Sequence, residues 1–139
     1  MRAPHIKHVA LIVCCASVAC DSPTKPLTGC LGDVPIEIST SSEAATPQLR
    51  FGWSPPCGIT TLTVSTVPAP GASPVQLWSR TAAEQMPLGP SITYGVTPRG
   101  ATAPHVALPL VHGLTYRVSV AYIVGGDGIA ASGDELFTF

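Results

Sequence analysis

The sequence is poor in charged side chains. Only 11% of its 139 residues are Asp, Glu, Lys or Arg, and the formal net charge is −1. Disordered chains are usually far more strongly charged, so this chain is predicted to fold. The first eight residues hold the only basic run, whereas a nucleic-acid binder needs a basic stripe on its folded part. We therefore expect no nucleic acid among the partners.

The sequence also lacks the motifs of familiar enzyme classes. It has no Gly-x-Ser-x-Gly nucleophile turn, no His-Glu-x-x-His metal motif, no Cys-x-x-Cys pair and no phosphate-binding loop. His105 and His112 are the only histidines after residue 20, and each lies where a solvated histidine is ordinary. Asp127 stands among glycines and is interpreted as a turn residue, because one carboxylate falls far short of a calcium site. We expect no cofactor, no metal site and no catalysis.

No apolar run is long enough to span a bilayer as a helix. The run at residues 9–19 follows Arg2 and Lys7 and has the length of a signal-peptide core. It leads into the letters SVAC at residues 17–20, which resemble the lipobox of bacterial lipoproteins. In that family the cysteine thiol takes a diacylglycerol before the signal peptide is cleaved on the amino side of the cysteine.

The lipobox resemblance implies a signal peptide over residues 1–19 and a lipid on Cys20. Two or three acyl chains anchor a protein stably, so the membrane becomes a partner without a transmembrane helix. Residues 20–33 are then the lipidated cysteine and a polar, proline-containing tether. The expected location is the cell envelope, at either the inner or the outer membrane. Ser17 departs from the leucine usual in the family, and simple secretion is the alternative.

The cysteine count helps to separate these two outcomes. Cleavage before Cys20 leaves Cys20, Cys30 and Cys57, and an odd number of thiols is unusual in an exported protein. A lipid on Cys20 and a disulfide between Cys30 and Cys57 account for all three sulfur atoms. The alternative is a pair of buried free thiols at Cys30 and Cys57.

The folded part is predicted to be all-β. From position 34 onward, apolar residues recur mostly at every second position, in short runs bounded by Pro, Gly and Ser. Only residues 81–86 would form a turn of helix, which Pro87 would end. We expect a seven-stranded antiparallel sandwich over residues 34–139, and residues 91–96 are a weaker candidate strand. The predicted strands are residues 34–38, 48–53, 59–67, 75–79, 106–110, 116–124 and 135–139.

Two stretches resemble the fibronectin type III family. Residues 49–56, LRFGWSPP, look like its second strand and the loop that follows, and Trp53 would be the core tryptophan. Residues 110–120, LVHGLTYRVSV, look like its sixth strand, with Leu110 six residues before Tyr116. That spacing implies a tyrosine corner, in which the phenol packs inward and its hydroxyl bonds upstream backbone. An unrelated immunoglobulin-like sandwich is the competing fold.

Trp78 is the candidate partner contact. Strict alternation along residues 75–79 puts Val75 and Leu77 on the core face and leaves Trp78 among polar neighbours. An exposed tryptophan can anchor a partner protein. The alternative is that its ring folds under the proline-rich loop at residues 68–74 and is partly buried.

Together these features predict a non-catalytic envelope lipoprotein that presents its sheet faces and loops to a protein or a polysaccharide. This role is implied partly by the resemblance to the fibronectin type III family. The alternative is a structural spacer or assembly component, and an unrecognised hydrolase is the least favoured class. Exposed aromatic clusters would favour binding, whereas polar faces with long free strand edges would favour assembly by strand addition.

Overall fold

The described part of the chain folds into β-strands without helices. The computed structural model describes residues 27–32, 34–43, 46–83, 86–103, 106–125 and 128–139. The predicted signal peptide, Cys20, His105 and Asp127 lie outside these ranges. The strands are β1 (Glu37–Glu43), β2 (Thr46–Ser54), β3 (Thr61–Thr66), β4 (Gln76–Ala82), β5 (Ile92–Thr93), β6 (Ala101–Thr102), β7 (Thr115–Ile123) and β8 (Ile129–Thr138).

The strands form two antiparallel sheets. One contains β1, β2 and β5 in that order, and the other has the order β6-β4-β3-β7-β8. The predicted all-β, antiparallel architecture is confirmed, with eight strands instead of the expected seven. The chain passes from the first sheet to the second after β2, returns for β5, and crosses again to β6.

The strand count differs at the short and proline-containing segments. The weaker candidate at residues 91–96 forms β5, and β6 forms where no strand was expected. The strand predicted at residues 106–110 is wrong: Pro109 has no N–H, and Leu108 joins the edge of β4 by a single bond, from its N–H to Leu77 O at 3.1 Å. Residues 81–86 were the one stretch of the sequence with room for a helical turn, but β4 continues through Ala82 and pairs with β6.

The core lies between the two sheets. Strict alternation in β2 and β7 builds much of it, because residues two apart on a strand share a face. The buried inward residues of these strands are Leu49, Phe51, Trp53, Tyr116, Val118 and Val120. Phe51 of the first sheet meets Phe137 of the second edge to face, with ring centroids 5.5 Å apart. Large rings bury the most apolar area per side chain, so this contact holds the sheets together.

Candidate functional site

The N-terminal end of the described chain is fastened to the sandwich. Residues 28–30, which we call the strap, pair in parallel with the loop after β2. Gly58 N donates to Thr28 O at 2.7 Å, and Cys30 N donates to Gly58 O at 2.8 Å. The predicted disulfide between Cys30 and Cys57 is confirmed, with the two Cα atoms 4.9 Å apart. Residues assigned to the tether from the sequence therefore make hydrogen bonds with the folded domain.

The loop that holds the strap is itself fixed to the core. Trp53 is buried, and its Nε1 donates to Cys57 O at 2.8 Å. Cys57 N also donates to Pro55 O at 2.8 Å, which closes a tight turn after β2. The core tryptophan thus positions the half-cystine that binds the strap.

A close approach at Gly29 shows where the strap lies. A Cβ at this position would overlap the ring of Tyr122. The strap can therefore lie against the C-terminal end of β7 only because residue 29 is glycine. The strap therefore sits beside the β2–β3 loop and the β7–β8 hairpin, and we call this the tether end. The opposite end, which we call the distal end, carries residues 67–75, residues 106–114 and Phe139. The nine residues of β7 separate the two ends by roughly 27 Å.

Tyr116 anchors the chain at the distal end. Its ring is buried, and its Oη accepts a hydrogen bond from Val111 N at 2.8 Å and lies 3.5 Å from Val111 O. Leu110 is half-buried and packs against the core. The hydroxyl is thus bonded to backbone five residues upstream, which is the arrangement that a tyrosine corner requires.

Trp78 is not a surface residue, so its suggested role as an exposed partner contact is wrong. Its side chain is 0% exposed, and its ring lies 5.0 Å from that of Tyr94, centroid to centroid. The cause is the pairing of β3 with β4, which is regular from Leu62 to Val64 and shifts only beyond it, between Val64 and Ser65. Trp78 consequently lies opposite the buried Val64 and faces inward, while Leu77 is only half-buried. In the described part of the protein, Trp78 Nε1 is buried without a hydrogen-bond partner.

Arg80 shares the inward face with Trp78 and is 2% exposed. Its Cζ lies 4.5 Å from the centroid of the Trp78 ring, and its Nε and Nη1 donate to Val96 O at 3.2 Å and Ser79 O at 2.7 Å. Desolvation lowers the pKa of Arg80 from its usual value. The two carbonyls and the aromatic face offset part of the cost of burying this cation. The burial of Arg80 was not predicted from the sequence, where the available signal was its two-residue spacing from Trp78.

The outer faces of both sheets are polar. On the larger sheet, Thr63 stands opposite Ser79 in β4 and Ser119 in β7, so hydroxyl groups line neighbouring strands. Outward residues of the smaller sheet are Glu37, Ser39, Ser41, Gln48 and Arg50. Every Trp, Tyr and Phe of the chain lies in the described residues, and none is exposed. The sheet faces therefore offer hydrogen bonds without an aromatic platform.

Most exposed apolar side chains lie at the two ends. At the tether end they are Leu27, Leu31, Val34, Met86, Ile123, Val124 and Ile129. At the distal end they are Val67, Val75, Val106, Leu108, Val111 and Leu114. Val106, at 87%, is the most exposed of them. The sandwich thus has polar sides and apolar ends.

Three of the four edge strands, β5, β6 and β8, are guarded against pairing with another strand, whereas the seven-residue β1 pairs with β2 alone among the described strands. β5 and β6 have two residues each, so they offer few free backbone groups. The longer β8 is covered in part by Ile36, whose N–H donates to Ser132 O at 3.3 Å. Farther along β8, Glu135 lies opposite the buried Val118, an inward-facing position, yet remains exposed at the edge. An inward-facing charge on an edge strand disfavours the addition of a further strand, because pairing would bury it.

Titratable groups are scattered in the described residues. His112 is exposed at the distal end, and its ring lies 5.1 Å from that of Phe139, centroid to centroid. Tyr94 is half-buried, and its Oη donates to Leu108 O at 2.6 Å. Burial, followed by the charge of Tyr116, raises the pKa of Tyr94 to about 12. No group of three or more His, Cys, Asp or Glu side chains suited to a metal ion occurs within the described ranges.

The part of the chain that the structure describes contains no helix with the length and apolar character to cross a bilayer. Comparison with protein-family models, with curated proteins and with solved structures found no match to this chain.

Proposed function

We propose that this chain is a non-catalytic, lipid-anchored envelope module that holds a protein partner at its distal end. The observation that carries the proposal is the exposed apolar surface at that end, with Val106 87% exposed, opposite the strap through which the chain enters the sandwich. Contiguous exposed apolar surface is the usual sign of a protein contact. A partner bound there would be held away from the membrane by the length of the sandwich.

The fastening of the strap supports the anchored part of the proposal. The disulfide and two backbone hydrogen bonds hold the strap ten residues after Cys20, the expected lipid site. A rigid connection between the tether and the domain restricts the orientation of the domain relative to the tether, which suits a module that holds a partner in a fixed place.

The character of the surface favours a protein partner over a polysaccharide. Sugar rings stack on exposed aromatic side chains, and no Trp, Tyr or Phe of this chain is exposed. The guarded edges of the larger sheet, at β6 and β8, count against the alternative in which that sheet joins other chains by strand addition, and β1 is the one long edge that the described strands leave to it. Contact with a protein through the apolar distal end requires neither exposed aromatic side chains nor a free strand edge.

The strand order supports the finer assignment to a fibronectin type III-like domain. Immunoglobulin-like sandwiches put their first, second and fifth strands in one sheet and the C, F and G strands side by side in the other. Here β1, β2 and β5 share a sheet, and β3, β7 and β8 are neighbours in the other. The bond between the Tyr116 hydroxyl and Val111 stands where the tyrosine corner of such domains is found.

The proposal is tested by crosslinking in native envelopes, with identification of the attached protein. The Val106→Glu, Leu114→Glu double variant should lose the crosslinked partner, because two charges at the distal end oppose an apolar contact. Ser41→Glu, at an exposed position on the side of the smaller sheet, is the matched control and should keep it. A partner that survives the double variant, in a protein of unchanged thermal stability, would contradict the proposal.

A further inference from the structure

Five exposed apolar side chains surround the point where the chain enters the sandwich. They are Leu31, Val34, Ile123, Val124 and Ile129, which we call the collar. Leu31 and Ile129 are each 66% exposed and Val34 is 63% exposed. Exposure of this size is costly in water, and here it is gathered at the tether end, whereas the sides of the sandwich are polar.

The pairing of the strands brings the collar together. Ile123 and Ile129 are opposite one another where β7 and β8 meet, and Val124 N donates to Gly128 O at 3.4 Å in the same hairpin. Leu31 directly follows the strap, which contacts Tyr122 of β7. Val34 stands two residues before Ile36, whose N–H bonds Ser132 of β8.

The length of chain ahead of the strap limits how far the collar can be from a lipid anchor. Leu27 is the seventh residue after Cys20, and a fully extended chain of seven residues spans at most about 25 Å. A short tether keeps the collar at a high local concentration relative to the membrane, so even weak apolar contacts would be populated.

We infer that the collar rests on the lipid bilayer, with its apolar side chains in the interfacial region. The inference rests on the proposed lipid on Cys20. Apolar side chains on a protein surface bind at the boundary of headgroups and acyl chains, in proportion to the apolar area that they bury there. The sandwich would then stand end-on, with the distal end presented to the partner.

The test is fluorescence quenching in proteoliposomes of phosphatidylethanolamine and phosphatidylglycerol that contain the full lipidated protein. Trp53 and Trp78 are buried, so a tryptophan placed on the surface adds a signal that can be separated by difference from the parent protein. Ile129→Trp places it in the collar, and Val106→Trp places the matched control at the distal end. Brominated lipids report contact with the bilayer, and acrylamide reports exposure to water.

We expect brominated lipids to quench the added fluorescence of Ile129→Trp and acrylamide to leave it unchanged. For Val106→Trp we expect acrylamide to quench the added fluorescence and brominated lipids to leave it unchanged. Combining Ile129→Trp with Leu31→Ser and Val34→Ser should cause loss of the lipid quenching. If the protein floats with the vesicles but Ile129→Trp is not quenched by lipid, the collar inference fails while the anchor stands. If the tryptophan at position 129 is shielded from acrylamide but is not quenched by lipid, a second copy of the protein covers the collar. That result would also overturn the collar inference. An unmodified Cys20 by intact mass would overturn the anchor and the collar inference together.

Discussion

The hydroxyl of Tyr116 holds the chain where it enters β7, through the 2.8 Å bond from Val111 N. Tyr116→Phe keeps the buried ring and removes this bond, and it leaves the N–H of Val111 without its partner. We expect the free energy of unfolding to fall by about 1 kcal/mol, measured by urea denaturation. Tyr122→Phe, in the same strand, is the control, because the Tyr122 hydroxyl has no hydrogen-bond partner among the described residues. Equal effects of the two substitutions would contradict the role of the Tyr116 hydroxyl.

We expect the free energy of unfolding to fall in alkaline solution as the phenol of Tyr94 ionises. Its pKa is raised from 10.0 to about 12, so the folded protein retains a phenolic proton that the unfolded chain loses first. The resulting stabilisation is complete below pH 10 and is lost as the pH rises towards 12. Tyr94→Phe should lower the stability at neutral pH, because the bond to Leu108 O is lost, and should flatten the alkaline decline. Urea titrations of both proteins over this range provide the test, and parallel declines would contradict it.

At the level of the elements, the disulfide is expected to be the largest local contribution to stability. It closes a loop with a sequence separation of 27, and replacing Cys30 and Cys57 with serine should lower the free energy of unfolding by roughly 3 to 4 kcal/mol in the chain-entropy treatment. Urea denaturation of the double variant measures this loss, and reduction of the parent protein should reproduce it. An unchanged midpoint in both experiments would show that the strap contributes nothing to the fold.

The strands were predictable where side chains alternate without interruption, as in β2 and β7. β4 was predicted only in part, over residues 75–79, and with its faces reversed, because the buried face depends on the pairing with β3, which puts Trp78 opposite Val64. The segment 106–110 alternates like a strand, yet Pro109 and the short β6 leave it a single bond to β4. Alternation fixes which residues can share a face, while pairing decides which face is buried.

For the molecule as a whole, the division into polar sides and apolar ends was not evident from the sequence. The disulfide could be proposed from the cysteine count together with the lipobox resemblance, and the burial of Trp53 from its alternation with Leu49 and Phe51. The collar could not, because Leu31 and Ile129 are far apart in the chain and are brought to the same end of the sandwich only by the strap and the pairing of β7 with β8. Exposed valines and leucines also look like core residues when only their pattern is considered.

The covalent bond between Cys30 and Cys57 also determines how the molecule would carry tension. All of β1 and β2 lie between these two cysteines in the sequence. A pull on the chain ahead of Cys30 therefore passes through the sulfur atoms to Cys57 and onward into β3, at the centre of the larger sheet. β1 and β2 are bypassed, so β1, an edge strand rich in serine, can be peeled away by such a load only after the disulfide has been reduced.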